Sequence, residues 1–197
     1  PFDHHIYVIA GDGDLQEGVS AEASSLAGHQ QLGNLIAIYD SNQISIEDDT
    51  DISFTEDVAK RYESYGWQVL EVDWKKTGAY VEDLAELHAA IGAAQDETGK
   101  PTLIILKTVI GWPSPGKQNT GGIHGSKLGS EELAGLKVAL GFDPEQHFAV
   151  APEVIAHTRK AVQRGAETRA EWQRGFDAWA AANPERKALF DRVEAQE

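Results

Sequence analysis

The chain contains no cysteine, which excludes a disulfide framework and any reaction that needs a thiolate. No apolar run approaches the roughly 18 residues of a membrane-spanning helix, and no signal-peptide pattern opens the chain. The first residue is Pro1 rather than methionine, directly before a predicted strand. We therefore expect the sequence to be a segment of a larger protein.

Basic residues are also scarce. The chain has 17 Lys and Arg against 32 Asp and Glu, which gives a formal net charge of -15. Binding to nucleic acids and to anionic membranes depends on clustered Lys and Arg, so we expect neither partner. A phosphorylated ligand would have to be held locally, by a metal ion, backbone N–H groups or histidine.

Short apolar runs alternate with helical patterns in the first three quarters of the chain. The apolar runs predict buried strands over residues 6–10, 35–39, 67–72 and 102–109. The helical patterns lie over residues 15–31, 54–65, 79–97 and 130–140, with Thr55 and Ser130 as predicted N-caps. This alternation predicts an α/β fold with a doubly wound, mostly parallel sheet.

From residue 152 onward Ala, Glu, Arg and Trp dominate, and no strand signal returns. We expect one long helix, or two helices broken near Asn183-Pro184. A solvated helical appendage and a linker to a further domain both fit this composition. The predicted organisation is a sheet domain over residues 1–150 and a helical extension over residues 151–197.

The segment Gly11-Asp12-Gly13 follows the first predicted strand, and Asn42 follows the second. Because the carboxyl ends of parallel strands meet at one edge of a sheet, the side chains of Asp12 and Asn42 should lie close together. Oxygen donors of this kind suit Mg²⁺, which often takes phosphate oxygens as further ligands. The pattern favours a metal-diphosphate site over a plain strand-to-helix turn.

Other loop motifs fail at single positions. A dinucleotide fingerprint needs glycine where Gln16 stands. An EF-hand loop that starts at Asp12 needs glycine and glutamate where Glu17 and Ala23 stand. Residues 111–117 match the start of a P-loop, but Gln118 replaces the Ser or Thr that reaches magnesium.

His124 lies among glycines in the loop after the fourth predicted strand. Its imidazole could donate to a phosphate or assist proton transfer, although a lone loop histidine is more often polar surface. Glu17 and Glu22 fit partners of a helix dipole. The acidic side chains of residues 47–51 fit a solvated loop better than a second metal site.

Gly11-Asp12-Gly13 followed by Asn42 resembles the thiamine-diphosphate fingerprint, and the surrounding sequence resembles the transketolase family. The segments that carry this second resemblance are residues 17–28, 32–40, 65–67 and 108–111. The resemblance runs from about Ile6 to the end of the chain. It implies a truncated thiamine-diphosphate-binding fold, comprising the later part of the diphosphate-binding domain and the helical linker towards a missing pyrimidine-binding domain.

The resemblance also implies roles for single residues. The side chains of Asp12 and Asn42 and the Ile44 carbonyl would bind Mg²⁺ or Ca²⁺, and the turn with Gly11 and the Gly13 N–H would bind the diphosphate. Ile46 and Ile110 would pack against the cofactor rings. His124 would contact the diphosphate and the reacting end of the substrate, and Glu17 and Glu22 would link two cofactor sites across a dimer. Some relatives carry a second histidine at the position of Gly121.

The implied activity is transfer of a two-carbon ketol unit from a ketose phosphate to an aldose phosphate with thiamine diphosphate. The parent protein would be a cytoplasmic homodimer of the pentose phosphate pathway. Because the glutamate that activates the cofactor would belong to the missing domain of the partner subunit, we expect this chain alone to be inactive. Two alternatives stay open. One is another thiamine-diphosphate enzyme, such as dihydroxyacetone synthase, deoxyxylulose-phosphate synthase or a 2-oxoacid dehydrogenase E1 component; the other is a non-catalytic folded module.

Overall fold

The computed structural model describes residues 3–196. Its strands are β1 Ile6–Gly11, β2 Leu35–Ser41, β3 Gln68–Asp73 and β4 Thr102–Lys107. The helices that accompany them are α1 Asp12–Gln16, α2 Gly18–His29, α3 Val58–Ser64, α4 Leu84–Asp96 and α5 Ser130–Ala139. These elements belong to one compact unit, His4–Gln146, and a separate helical unit begins at residue 147.

All neighbouring strands are parallel, in the order β1-β2-β4-β3. In the register of β1 with β2, Gly11 pairs with Asp40, and in the register of β2 with β4, Ser41 pairs with Lys107. The predicted parallel sheet is confirmed. Its carboxyl edge carries the turns after β1 and β2 and the long loop after β4.

Helices cover both faces of the sheet. On one face, side chains of β2 and β4 pack with α1, α2 and α3, and on the other face they pack with α4. The first cluster includes Leu15, Ala27, Tyr39, Tyr62 and Leu103, and the second includes Ile36, Val72, Ala94, Ile104 and Leu106. Because β2 and β4 are buried on both sides, their sequences are continuous apolar runs rather than alternating ones.

The predicted starts of α3 and α4 are wrong. The N-cap of α3 is Asp57 rather than Thr55, and its side chain accepts a backbone N–H of the first turn. The N-cap of α4 is Asp83, several residues later than predicted. Before it, the Val81 N–H donates to the Trp74 carbonyl at 2.9 Å, which holds this segment as a loop.

Two further details of the predicted helices are corrected. The single helix predicted over residues 15–31 is divided into α1 and α2, because Glu17 has extended backbone angles. The N-cap position of α5 is Gly129 rather than Ser130, and the structure shows no side-chain cap there. The strand predicted to reach residue 109 ends at Lys107.

The helical unit consists of α6 Pro152–Ala182 and α7 Pro184–Glu194. Of the two alternatives left open by the sequence, one long helix or two helices broken near Asn183-Pro184, the structure has the second, since Asn183 has non-helical backbone angles between the two helices. The Phe176 ring stacks on Trp172 at 5.0 Å and meets Phe190 of α7 at 5.7 Å between centroids. In the part of the chain described here, no helix combines the length and the apolar character that a bilayer crossing requires.

Candidate metal and diphosphate site

Asp12 and Asn42 meet at the carboxyl edge of the sheet. Asp12 is the first residue of α1, directly after β1, and Asn42 directly follows β2. The Asn42 backbone N–H donates to Asp12 Oδ2 at 3.3 Å. Both residues are buried, at 3% and 8% exposed.

Three donors of the protein hold the Asp12 carboxylate. The Tyr39 hydroxyl donates to Oδ1 at 2.5 Å, and the Gln43 N–H donates to Oδ2 at 3.0 Å beside that of Asn42. A carboxylate has about four acceptor positions, so one remains on Oδ1. Because these bonds fix the orientation of the buried anion before any ligand binds, the carboxylate is preorganised.

The side-chain amide of Asn42 is fixed at both ends. Its Nδ2 donates to Asp40 Oδ2 at 3.3 Å, and its Oδ1 accepts the Ile44 N–H at 3.0 Å. Asp40 in turn accepts a hydrogen bond from the Thr108 hydroxyl, just after β4. These bonds keep the acceptor oxygen of the amide on the side of Ile44 and leave it a second lone pair.

The carbonyl of Ile44 has no donor from the described part of the protein. Ile44 is buried, and no hydrogen-bond donor among residues 3–196 reaches its carbonyl oxygen, whereas the residues on either side are paired across the same turn. Buried carbonyls are rarely left without a polar partner. Carboxylate, amide and carbonyl oxygens are the hard donors that Mg²⁺ and Ca²⁺ prefer, so Asp12, Asn42 and the Ile44 carbonyl are donors of a suitable kind.

The neighbouring acidic side chains have other contacts. Asp49 caps a single helical turn, Thr50–Ile52, and accepts the Asp51 N–H at 2.8 Å. Within residues 3–196, no three His, Cys, Asp or Glu side chains cluster so as to hold a metal ion. A cation at this edge would therefore depend on amide and carbonyl oxygens as well as on Asp12.

Tyr39 is the residue at this site that the sequence pattern did not single out. It lies in the buried cluster that also contains Leu15 of α1. Burial, and then the hydrogen bond to Asp12, raise the pKa of Tyr39 above its ordinary value, so its hydroxyl stays a donor at neutral pH. The available signal was a tyrosine within an aliphatic strand, because a buried hydroxyl requires a partner.

The glycine turn is open towards solvent. Gly13 lies in the first turn of α1, where backbone N–H groups have no acceptor within the helix. A Cβ at Gly13 would meet no atom within 4 Å. The Gly11 N–H donates to Asp14 Oδ2 at 2.8 Å and stabilises the turn.

The resemblance described above assigned two isoleucines to the cofactor rings. Of these, Ile46 is 71% exposed and Ile110 is half-buried.

His124 is exposed, and its loop contacts the turn after β2. The Gly121 N–H donates to Asp48 Oδ1 at 3.4 Å, and a Cβ at Gly121 would lie 3.0 Å from the Asp48 Cα. The structure thus brings the backbone of this loop against the segment that follows Asn42. Within the described chain, no hydrogen bond joins the His124 imidazole to Asp12 or Asn42.

A family model described as transketolase, thiamine diphosphate binding domain, matches residues 1–197. The chain belongs to the transketolase family. It is 54% identical over 196 residues to the transketolase of Mycobacterium tuberculosis and 46% identical over 191 residues to transketolase 2 of Saccharomyces cerevisiae. These alignments cover 100% and 96% of this chain but 27% of each relative. The chain therefore spans about a quarter of the length of the curated transketolases that it matches.

Solved transketolases have the same fold over this segment. The Pichia stipitis transketolase in complex with sedoheptulose-7-phosphate matches with a TM-score of 0.86 and 45% identity, over 96% of this chain and 27% of that chain. The Leishmania mexicana transketolase matches with a TM-score of 0.86 and 39% identity, over 96% of this chain and 28% of that chain. The predicted α/β fold of a thiamine-diphosphate-binding domain is confirmed by these likenesses.

The remaining residues suggested by the transketolase resemblance lie on the surface of this chain. Glu17 stands at the junction of α1 and α2, and Glu22 is exposed on α2. A side chain at Gly121 would require the backbone of Asp48 to shift.

Proposed function

We propose that this chain is the diphosphate-binding segment of a transketolase, which transfers a two-carbon ketol unit from a ketose phosphate to an aldose phosphate. The observation that carries the proposal is the meeting of Asp12 and Asn42 at one sheet edge, with Ile44 hydrogen-bonded to Asn42, in a chain that belongs to the transketolase family. Pichia stipitis transketolases in complex with xylulose-5-phosphate and sedoheptulose-7-phosphate support sugar phosphates as substrates.

The protein's first task in this proposal is to hold the anionic end of the cofactor. Thiamine diphosphate, when bound, supplies the nucleophilic carbon and the electron sink of the transfer. Asp12, Asn42 Oδ1 and the Ile44 carbonyl would bind a Mg²⁺ or Ca²⁺ whose shell the diphosphate completes. The turn from Gly11, through the Gly13 N–H, would bind diphosphate oxygens directly. A chain with a net charge of -15 needs such local attraction for an anion.

Other residues would complete the pocket. Ile46 and Ile110 would pack against the cofactor rings, which would cover the exposed side chain of Ile46. His124 would contact the diphosphate and the reacting end of the substrate, where an imidazole can donate or move a proton. Glu17 and Glu22 would link two such sites across a homodimer, which we propose is cytoplasmic.

The test compares cofactor binding and ketol transfer in the full-length protein that carries this chain. Asp12→Asn removes the anionic ligand and should lower magnesium-dependent affinity for thiamine diphosphate by at least about a hundredfold. Asp51→Asn makes the same charge change in the exposed loop nearby and should leave the affinity unchanged. Equal affinity of Asp12→Asn and the unaltered protein, or binding without any metal dependence, would contradict the proposal.

Two further assays separate the alternatives. A panel of ketose and aldose phosphates distinguishes a transketolase from dihydroxyacetone synthase. The 197-residue chain by itself should show no ketol transfer, because the activating glutamate would belong to a different domain. Turnover by the isolated chain would refute that expectation.

A further inference from the structure

The loop after β4 carries two residues of the proposed cofactor site, Ile110 near its start and His124 near its end. Helix α5 follows this loop and contributes no fully buried residue of its own. It nevertheless contacts the loop at two places one helical turn apart. These two contacts fix residues 114–116 of the loop against α5.

The first contact is made by Glu132, in the first turn of α5. Its Oε1 accepts hydrogen bonds from the Ser114 hydroxyl and from the Gly116 N–H, the latter at 2.7 Å. Ser114 is fully buried. One carboxylate oxygen therefore accepts from both a buried hydroxyl and a backbone donor of the loop, and an apolar side chain at position 132 would leave the buried hydroxyl without this acceptor.

The second contact is steric. A Cβ at Gly135 of α5 would lie 3.0 Å from Pro115 Cγ, so the helix backbone rests directly on the ring of Pro115. Residues 132 and 135 lie on the same face of the helix. The segment 114–116 is thus held between a polar and an apolar contact with α5.

Contacts inside the loop connect residues 114–116 to Ile110 and to the segment that leads to His124. The Ser114 N–H donates to the Gly111 carbonyl at 2.8 Å, and the Asn119 N–H donates to the Ile110 carbonyl at 2.9 Å. The Ile123 side chain fills the space beside Gly111, where a Cβ would lie 2.0 Å from its Cδ1. Displacing Ser114 would therefore shift Gly111, and with it Ile110 and the chain that leads into His124.

We propose that Glu132 is a positioning residue for the cofactor site: it holds residues 110–124 in the conformation that presents Ile110 and His124 to the bound cofactor and substrate. This inference rests on the function proposed above for those two residues. Glu132 itself need not touch either ligand, since it acts through Ser114 and Gly116.

The experiment compares Glu132→Ala, Glu132→Gln and Glu131→Ala. Glu131 is the exposed neighbour in the same helical turn, so it controls for helix propensity and for loss of one negative charge. Amide hydrogen exchange of peptides from residues 110–124 measures how well the loop is protected. Binding of thiamine diphosphate with Mg²⁺ by the full-length protein measures the affinity of the cofactor site. Glu132→Ala should raise exchange in the loop and the Kd for thiamine diphosphate by about tenfold each.

Three further variants test whether the effect depends on the hydrogen bonds of Glu132. Glu132→Gln keeps an acceptor oxygen and should restore most of the exchange protection and affinity, while Glu131→Ala should match the unaltered protein. Ser114→Ala removes the other partner while leaving α5 unchanged, and it should raise loop exchange as Glu132→Ala does. This variant keeps the inference testable if Glu132→Ala fails to fold.

Two results would overturn the inference. One is normal loop exchange in Glu132→Ala and Ser114→Ala. The other is raised loop exchange with an unchanged Kd for thiamine diphosphate. Failure of the unaltered full-length protein to bind thiamine diphosphate would instead contradict the proposed function, and the exchange measurement would still report whether Glu132 holds the loop.

Discussion

The Asp12 carboxylate accepts three hydrogen bonds from groups of the protein itself. The shortest comes from Tyr39, a buried side chain on the adjacent strand. Groups that orient a metal ligand in this way commonly affect metal affinity although they never touch the ion. The hydroxyl of Tyr39 thus connects the hydrophobic core of the sheet to the proposed cation site.

Tyr39→Phe removes that hydroxyl and leaves the ring in place. Asp12 Oδ1 then loses its donor, so the free energy of unfolding should fall by about 1–3 kcal/mol and Mg²⁺ affinity in the presence of thiamine diphosphate by about tenfold or more. Tyr62→Phe is the matched control, because its hydroxyl is also buried but bonds to Ser24. Denaturant titration and calorimetry check both quantities. Equal metal affinity of the two variants would count against a role for Tyr39.

Glu132 gives a pH-dependent prediction. The Ser114 hydroxyl, and then the Gly116 N–H, lower the pKa of the Glu132 carboxyl below its ordinary value. A lowered pKa stabilises the fold above the ordinary carboxyl range, and this contribution is lost as the pH falls through the lower folded value. The melting temperature of the unaltered protein should exceed that of Glu132→Gln at about pH 6, and the difference should shrink towards about pH 3. A difference that does not change with pH would show that the charge of Glu132 is not involved.

At the scale of helices and strands, close packing decides which helical glycines can be replaced by a larger residue. A Cβ at Gly28 of α2 would lie 1.9 Å from the Tyr65 carbonyl oxygen, at the end of α3. A Cβ at Gly92 of α4 would meet no atom within 4 Å. Both are single glycines within helical patterns, so the sequence alone gives no reason to distinguish them.

The two helical glycines should therefore respond in opposite directions to alanine. Gly28→Ala drives a methyl group into the backbone of Tyr65, and we expect it to destabilise the fold by about 3 kcal/mol or more. Gly92→Ala gains helix propensity without a clash and should stabilise the fold by about 0.5–1 kcal/mol. Urea denaturation measures both changes. A stable Gly28→Ala protein would show that α2 can move away from α3 at little cost.

The first residues of helices α3 and α4 also could not be predicted from local sequence alone. Thr55 and Asp57 are both good N-cap residues, and the side chain of Asp57 is the one that accepts the helix N–H. The apolar spacing that predicted an early start of α4 continues into a segment held by the Trp74 and Tyr80 rings, whose centroids lie 6.1 Å apart. Helical periodicity does not reveal a loop that is stabilised by contacts with other parts of the chain.

At the scale of the whole chain, β1 is the most exposed strand. In the described sheet it pairs only with β2, and its side chains Ile6 to Ile9 are exposed, Ile9 at 78%. An apolar strand with an unpaired edge is prone to associate with another chain. The 197-residue chain is therefore expected to self-associate in solution through this surface.

Ile9→Lys should lower this association, because it places a charge on the exposed strand. Ile52→Lys is the matched control, since Ile52 is 88% exposed but lies in a helical turn outside the sheet. Sedimentation velocity over a range of protein concentrations measures the change. If both variants associate as strongly as the unaltered chain, β1 is not the interface.

The sequence by itself determined the parallel sheet, the helical character of the extension and the residues at the ends of β1 and β2. It could do so because apolar runs, glycine turns and strand ends are local features, and parallel strands necessarily end at a common edge. Only the tertiary structure revealed the bonds of Tyr39 to Asp12 and of Glu132 to Ser114, and the fit of Gly28 against Tyr65. These partners are distant in sequence, and their meeting depends on how the packed elements bring together groups that have no local signal of being neighbours.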